Sequence, residues 1–242
     1  MALQECGLNL NKVSKELQPH GSLEFPCAGY SSRHTDRSED VIPWHWHEEM
    51  EIIYIEAGQM KIKIPSRSFL LERGDCIVIN SNILHYAAAA VECRLRSLVF
   101  SPSLITGNEE LVFAKKYMRP LLTCSNFSHY VIKAENNKNA AGWFNLAFDA
   151  LAKDCYGYEF LVRENLSRIC LFYMGNFSRR LKFRTFLRIR IISVSEKCLH
   201  SFTIILLMIS PWRIFQAPPI SARGKACAAL KKASSFPPFN IC

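Results

Sequence analysis

What this sequence lacks narrows it first. Its ten cysteines, at 6, 27, 76, 93, 124, 155, 170, 198, 227 and 242, include no CxxC pair and no clustering. That spread argues against a disulfide framework and for reduced thiols in a cytoplasmic protein. The opening stretch MALQECGLNLNKVSKELQPHG holds no apolar core, so a secretory signal is not expected. The longest nearly uncharged apolar run, Ser201 to Ser210, falls far short of the roughly 20 residues a helix needs to span a bilayer, so no membrane partner is expected. There is no glycine-rich phosphate loop, no internal repeat and no GxSxG elbow to support acyl transfer.

What is present is ordinary in bulk and lopsided in charge. The chain has 242 residues, 49% hydrophobic and 21% charged, enough for one or two domains with a sizeable core. Residues 1–177 carry 18 Lys and Arg against 20 Asp and Glu, a balance of −2; residues 178–242 carry 12 against 1, a balance of +11. Such asymmetry points to nucleic-acid contact or a solvated basic tail.

Residues up to about 40 are polar and irregular, with one candidate strand at SLEFPCAGY. The next sixty read as β structure. EMEIIYIEAG, QMKIKIP, SFLLERGD, CIVINSN and CRLRSLVFS are short, apolar and punctuated by Gly, Asp, Asn and Pro, which predicts an antiparallel sandwich or small barrel. After Pro102 the period becomes helical, in NEELVFAKKYMRPLL, NAAGWFNLAFDALAKDC and YEFLVRENLSRICLFYMGNF. Val162, Leu166, Ile169 and Tyr173 form an apolar stripe that needs a partner, either the barrel wall or a second subunit.

The chemistry concentrates in PWHWHEEMEIIYIEAG, Pro43 to Gly58. If this stretch is a single strand, alternation puts His45, His47, Glu49 and Glu51 on one face and Trp46, Met50 and Ile52 on or near the other. His45, His47 and Glu51 could give a metal three ligands, with His85 as the fourth; such a set suits Zn, Fe, Ni or Mn without choosing among them. The commoner use of such residues is to line a pocket, where they contact an organic ligand or satisfy one another. Trp44 and Trp46 read as packing or rim residues.

HxHxxxE followed by six residues and glycine (His45, His47, Glu51, Gly58) resembles the first cupin motif, and Gly74–Asp75 with Asn80 and His85 resembles the second. The wider run is more specific. PWHWHEEMEIIYIEAG, QMKIKIPSRSFLLERGD, GDCIVINSNILH, LRSLVFSPSLI, KKYMRPLL and YEFLVRENLSRICLFYM, in that order, resemble the N-terminal sensor domain of AraC-type bacterial transcription regulators over roughly residues 20–177. The resemblance implies a cupin (jelly-roll) barrel that senses a small molecule, often a sugar or related compound. A helical pair would then form a homodimer, and a C-terminal domain of two helix-turn-helix units would bind promoter DNA.

The tail departs from that pattern. The resemblance calls for a DNA-binding domain of roughly 100 residues, whereas the 65 that follow Phe177 contain one acidic residue and no clean helical period. Read one base out of register, the codons from Arg184 onward permit ISLEDISSAANISKRESLRCFKK, which resembles a first helix-turn-helix; the final FPPFNIC permits SPIQYL. Met208 and Trp212, each with a single codon, permit the Asp and Glu expected there. A frameshift near residues 176–184 would explain both this and the charge asymmetry. No DNA-binding residue is assigned.

The expected organisation is a cupin-like effector-sensing barrel with an N-terminal arm over 1–104, a helical dimerisation segment over 105–178, and a basic out-of-frame tail over 179–242. The expected function is sensing and dimerisation in a regulator, with no catalytic residue and with promoter binding doubtful. His45, His47, Glu51 and His85 are the effector-pocket candidates and also the candidate ligands of a divalent metal. The competing readings are a metal-dependent cupin dioxygenase or isomerase and an inert product of a damaged gene.

Overall fold

The computed structural model describes residues 3–136 and 138–177. The expectations for residues 178–242, including the shifted reading frame and the run Ser201–Ser210, lie outside the described residues.

Among the described residues, seven strands make one antiparallel sheet: β1 (Cys27–His34), β2 (Val41–His45), β3 (Met50–Ile64), β4 (Arg67–Glu72), β5 (Cys76–Ile79), β6 (His85–Phe100) and β7 (His129–Ile132). Its spine is the pair β3–β6. Strand β6 takes β1 along its C-terminal half and β2 along its N-terminal half. Strand β3 takes β5 along its N-terminal half and β4 along its C-terminal half. Both long strands change register between Ile55 and Met60, and bulges of this kind bend and twist a strand. Gly58 makes the bend there: its φ is +76°, and a Cβ would lie 1.9 Å from the Glu92 carbonyl oxygen.

The sheet buries both faces. Ile53, Ile55, Ile77, Ile79 and Leu95 pack on one side with Met60 and Leu71. Met50, Ile52, Val78, Leu98 and Phe100, the alternate residues, pack on the other beneath the helices. This accounts for EMEIIYIE being nearly continuous rather than alternating in hydrophobicity. The helices are α1 (Ser103–Thr106), α2 (Arg119–Leu122), which continues a π-helical turn at Phe113–Met118, α3 (Lys138–Lys153), and α4 over residues 158–177. The stripe Val162, Leu166, Ile169 and Tyr173 is fully buried in the same cluster as Met50 and Leu98, so the sheet is its partner.

The β-rich half followed by helices is observed as expected. Four details differ. EMEIIYIEAG and QMKIKIP are one continuous strand, because the bulge at Gly58 bends the chain without breaking its pairing. HYAAAAVE belongs to β6: alanine has little strand preference of its own, and pairing to β2 and β3 decides the conformation. The strand expected at SLEFPCAGY lies further on, as β1. Strand β7 falls within the segment expected to be helical and extends the sheet by pairing with β5.

Two polar residues of the second motif hold β7 in place. Asp75 accepts from Lys133 Nζ at 2.6 Å and the Ala134 amide at 3.0 Å. Asn80 donates to the Phe127 carbonyl at 2.9 Å.

Candidate functional site

The histidine motif is not one strand. His45 ends β2, His47 lies in the short connection that follows, and Glu51 is the second residue of β3. His85 opens β6 and pairs directly with His45. The four converge because three strands, β2, β3 and β6, meet the β2–β3 connection here. In this arrangement Glu49 lies on the Nδ1 side of His47, its carboxylate 3.7 Å from that nitrogen. It contributes its carbonyl to His47 Nδ1 at 3.2 Å, and its side chain is not part of the four-residue group.

All four are buried, and their ligating atoms lie within 4.8 Å of one another. His85 Nε2 is 3.1 Å and His47 Nε2 is 3.7 Å from Glu51 Oε2. The His47 contact is too long for a hydrogen bond and the His85 contact lacks the alignment of one, so His47 Nε2, His85 Nε2 and Glu51 Oε2 are buried without hydrogen-bond partners. The set does not satisfy itself, and such orphaned groups are rare and costly.

The tautomers follow from the surroundings. The Nδ1 of His45 faces the Pro43 carbonyl at 2.8 Å, that of His85 the Ile83 carbonyl at 2.7 Å, and that of His47 the Glu49 carbonyl. A carbonyl can only accept, so each Nδ1 carries a proton, and a ring in its neutral form offers the Nε2 lone pair to the centre. Burial, then the nearby His85, pushes the His45 pKa down to about 4. Burial pushes Glu51 upward, but His47 and His85 overcome it and hold the carboxyl well below its usual range. Burial lowers the pKa of His85, but the Glu51 carboxylate outweighs this and raises it.

Three inward-facing Nε2 atoms and one ionised carboxylate fit a divalent ion. Ligands of one such ion, at bonds of about 2.0–2.2 Å, stand roughly 3–4 Å apart, which matches the separations of His47 and His85 from Glu51. The carbonyls behind each Nδ1 are the outer partners that metal-bound histidines use.

The group lines a cavity of about 300 Å³ together with Val41, Ile53, Leu95 and Val99. Sequence reasoning missed its other side. Cys6, Leu8, Glu16 and His20, in the region read as irregular, also line the cavity. His20 Nδ1 is 2.7 Å from Tyr30 Oη, which donates to Gln4 Oε1 at 2.7 Å. A histidine in LQPHG had no motif to mark it. Trp44 packs at the rim against Tyr86. Trp46 anchors the N-terminal arm: its amide donates to the Ser14 carbonyl and its carbonyl accepts from the Glu16 amide.

Residues 29–156 match the family described as AraC-like ligand binding domain. The chain belongs to that family. As an AraC-like ligand-binding domain it is similar to an uncharacterized HTH-type transcriptional regulator, YdeC, of Bacillus subtilis (strain 168), with 28% identity over 141 residues. That match covers 57% of this chain and 46% of YdeC, so the chain spans about half the length of the curated relative. Among solved structures it is similar to ToxT from Vibrio cholerae, with 14% identity, 63% of this chain and 55% of that one covered, and a TM-score of 0.43. It is also similar to a cupin-2 domain protein from Shewanella frigidimarina, with 18% identity, coverage of 32% and 72%, and a TM-score of 0.28. The fold assignment rests on the strand pairing described above.

The seven described cysteines are free thiols. Among the described residues no helix is long and apolar enough to cross a membrane.

Proposed function

We propose that this AraC-like domain works as the input half of a cytoplasmic transcription regulator, binding a small effector in the cavity lined by His45, His47, Glu51 and His85. The observation that carries the reading is the set of buried polar atoms without partners in the lining of a cavity of about 300 Å³. A ligand that satisfies them recovers what their burial costs. Effector binding would bias the helices on the outer face of the sheet, since Met50 in the neighbouring cluster adjoins Glu51 and touches Tyr173 on α4.

The role is regulatory rather than catalytic. A metal-dependent dioxygenase or isomerase could use the same four residues, but the family match favours sensing. If a divalent ion is held, His45, His47, His85 and Glu51 hold it, and it supplies Lewis acidity and a coordination point for an oxygen-bearing ligand.

The chain forms a homodimer in this reading. Leu146 on α3 and Phe160, Leu161 and Leu171 on α4 are exposed while the opposite helix faces are buried. Promoter DNA is a partner of the intact regulator type; this chain, with residues 179–242 out of frame, carries sensing and dimerisation without sequence-specific DNA binding.

A thermal-shift screen of sugars, amines and divalent ions against the wild-type chain and His47→Ala tests the site. A true effector stabilises the wild type, by about 2.7 kcal/mol at a hundredfold excess over its Kd, and the variant much less. A ligand that stabilises both equally binds elsewhere.

A further inference from the structure

Alternation along β1 puts Tyr30, Ser32 and His34 on one face of the strand, and all three line the cavity. Asp40, six residues after His34, returns to it through the loop between β1 and β2. The side chains form a relay. Ser32 Oγ lies 2.9 Å from His34 Nε2, and His34 Nδ1 lies 2.9 Å from Asp40 Oδ1. The other carboxylate oxygen of Asp40 accepts from the Thr35 amide at 2.7 Å and the Thr35 hydroxyl at 2.8 Å. Those bonds, the amide first, pull the Asp40 pKa down to about 2, so the carboxylate is ionised and can only accept. His34 Nδ1 therefore carries a proton, and in the neutral ring Nε2 accepts from the Ser32 hydroxyl.

This is the order of an activated nucleophile: a hydroxyl bonded to a base, and the base held in one tautomer by a carboxylate. The same bonds would brace a loop, but a brace has no need to open onto a cavity. Ser32 pairs in register with Leu95, which with Val41 and Ile42 makes the neighbouring wall apolar. Cys6 also lines the cavity and is the competing nucleophile. Burial pushes its pKa up, and its S–H donates to the Ser31 carbonyl at 3.6 Å, so it stays a thiol and reacts poorly.

The lining sets the partner. None of the described residues around the cavity is Lys or Arg, whereas Glu16 and Glu51 are among them, so an anionic acyl donor is repelled. No side-chain cation meets the oxyanion of a tetrahedral intermediate either, so the donor must bring a good leaving group. The acyl-serine that results is an ordinary alkyl ester without one, and it persists.

We propose that Ser32, His34 and Asp40 form an acyl-accepting site in the wall of the effector cavity, where Ser32 takes the acyl group of an uncharged activated ester or thioester. Ser32 Oγ bonds to the carbonyl carbon while its proton passes to His34 Nε2. The bond from that carbon to the leaving oxygen or sulfur then breaks, and His34 returns the proton to the departing alcohol or thiol. Asp40 is a positioning residue that holds the His34 tautomer. This rests on the effector-pocket reading and deepens it: the effector leaves a covalent mark on the sensor, once per chain.

The test treats the full 242-residue chain with p-nitrophenyl acetate. Nitrophenolate release is followed by absorbance, and peptide mass mapping locates the acetyl group. The expected result is a burst of one equivalent and an acetyl group on Ser32, in preference to the exposed Ser31 and Ser38. Ser32→Ala loses the burst, and His34→Gln slows it about 10²–10⁴-fold. Asp40→Asn slows it too, and ¹⁵N NMR shows the His34 proton moving from Nδ1 to Nε2, which a loop brace alone would not produce. Mapping in the wild type decides the matter even if a variant fails to fold. An acetyl group placed on Cys6 or on lysines instead, a burst unchanged in His34→Gln, or release that continues well past one equivalent overturns the proposal. If Ser32 stays unmodified while a sugar or amine still stabilises the wild type, the effector pocket stands and the covalent step falls.

Discussion

Glu51 Oε2 lies 3.1 Å from His85 Nε2, and the two side chains reach this contact from different strands, β3 and β6. The carboxylate is what raises the His85 pKa against its burial. Glu51→Gln removes that charge at nearly constant volume. The titration midpoint of His85, followed by NMR, should fall. An unmoved midpoint would mean that the contact does not hold the imidazolium.

His45 makes stability depend on pH. Its pKa falls from the ordinary 6.5 to about 4 on folding, mainly through burial. The unfolded chain takes up a proton below about 6.5 that the folded chain refuses until about 4. The stability associated with neutral His45 is complete above 6.5 and is lost as the pH falls through 4, on the order of 2–3 kcal/mol. Glu51, also depressed, acts in the same direction at lower pH; His85, raised, acts oppositely, its contribution fading as the pH rises through its folded value. Urea unfolding between pH 7.5 and 4.5 should show this slope, and His45→Gln should flatten it.

Gly58 cannot accept a side chain. Its φ of +76° and the 1.9 Å approach to the Glu92 carbonyl combine strain with a backbone clash. Gly58→Ala should cost at least ~1–3 kcal/mol from strain alone. A chemical-denaturation midpoint equal to wild type would show that the bulge relaxes freely.

The two faces of α4 should respond differently. Leu166 is fully buried and Leu171 is 66% exposed. Leu166→Ala should lower stability by ~2–5 kcal/mol, while Leu171→Ala should stay within about 0.5 kcal/mol yet weaken self-association in sedimentation experiments. A chain that is monomeric at all practical concentrations would remove the dimer.

The coding DNA tests the tail. Restoring the frame near residues 176–184 should give an open reading frame that continues through a second helix-turn-helix. A stop codon soon after the restored frame would end that idea.

Much of this protein was legible in the sequence because it is written locally. Hydrophobic period marked the strands of residues 50–79 and helices α3 and α4, and the ordered motifs carried the family. His45, His47, Glu51 and His85 were recognisable by type and spacing. The sequence could not say which partner buried the stripe from Val162 to Tyr173, since an apolar face is the same whether it meets a sheet or a second subunit; the packing against Met50 and Leu98 decided it. Nor could it show that the histidine motif turns between β2 and β3, because alternation assumes a straight strand. The arm was illegible for a related reason. Glu16, His20 and Trp46 acquire their roles only when residues far apart in sequence, such as Gln4, Tyr30 and His47, are brought together. The sequence determined which groups are available; the tertiary structure decided which of them share a cavity, through strand pairings that no local pattern encodes.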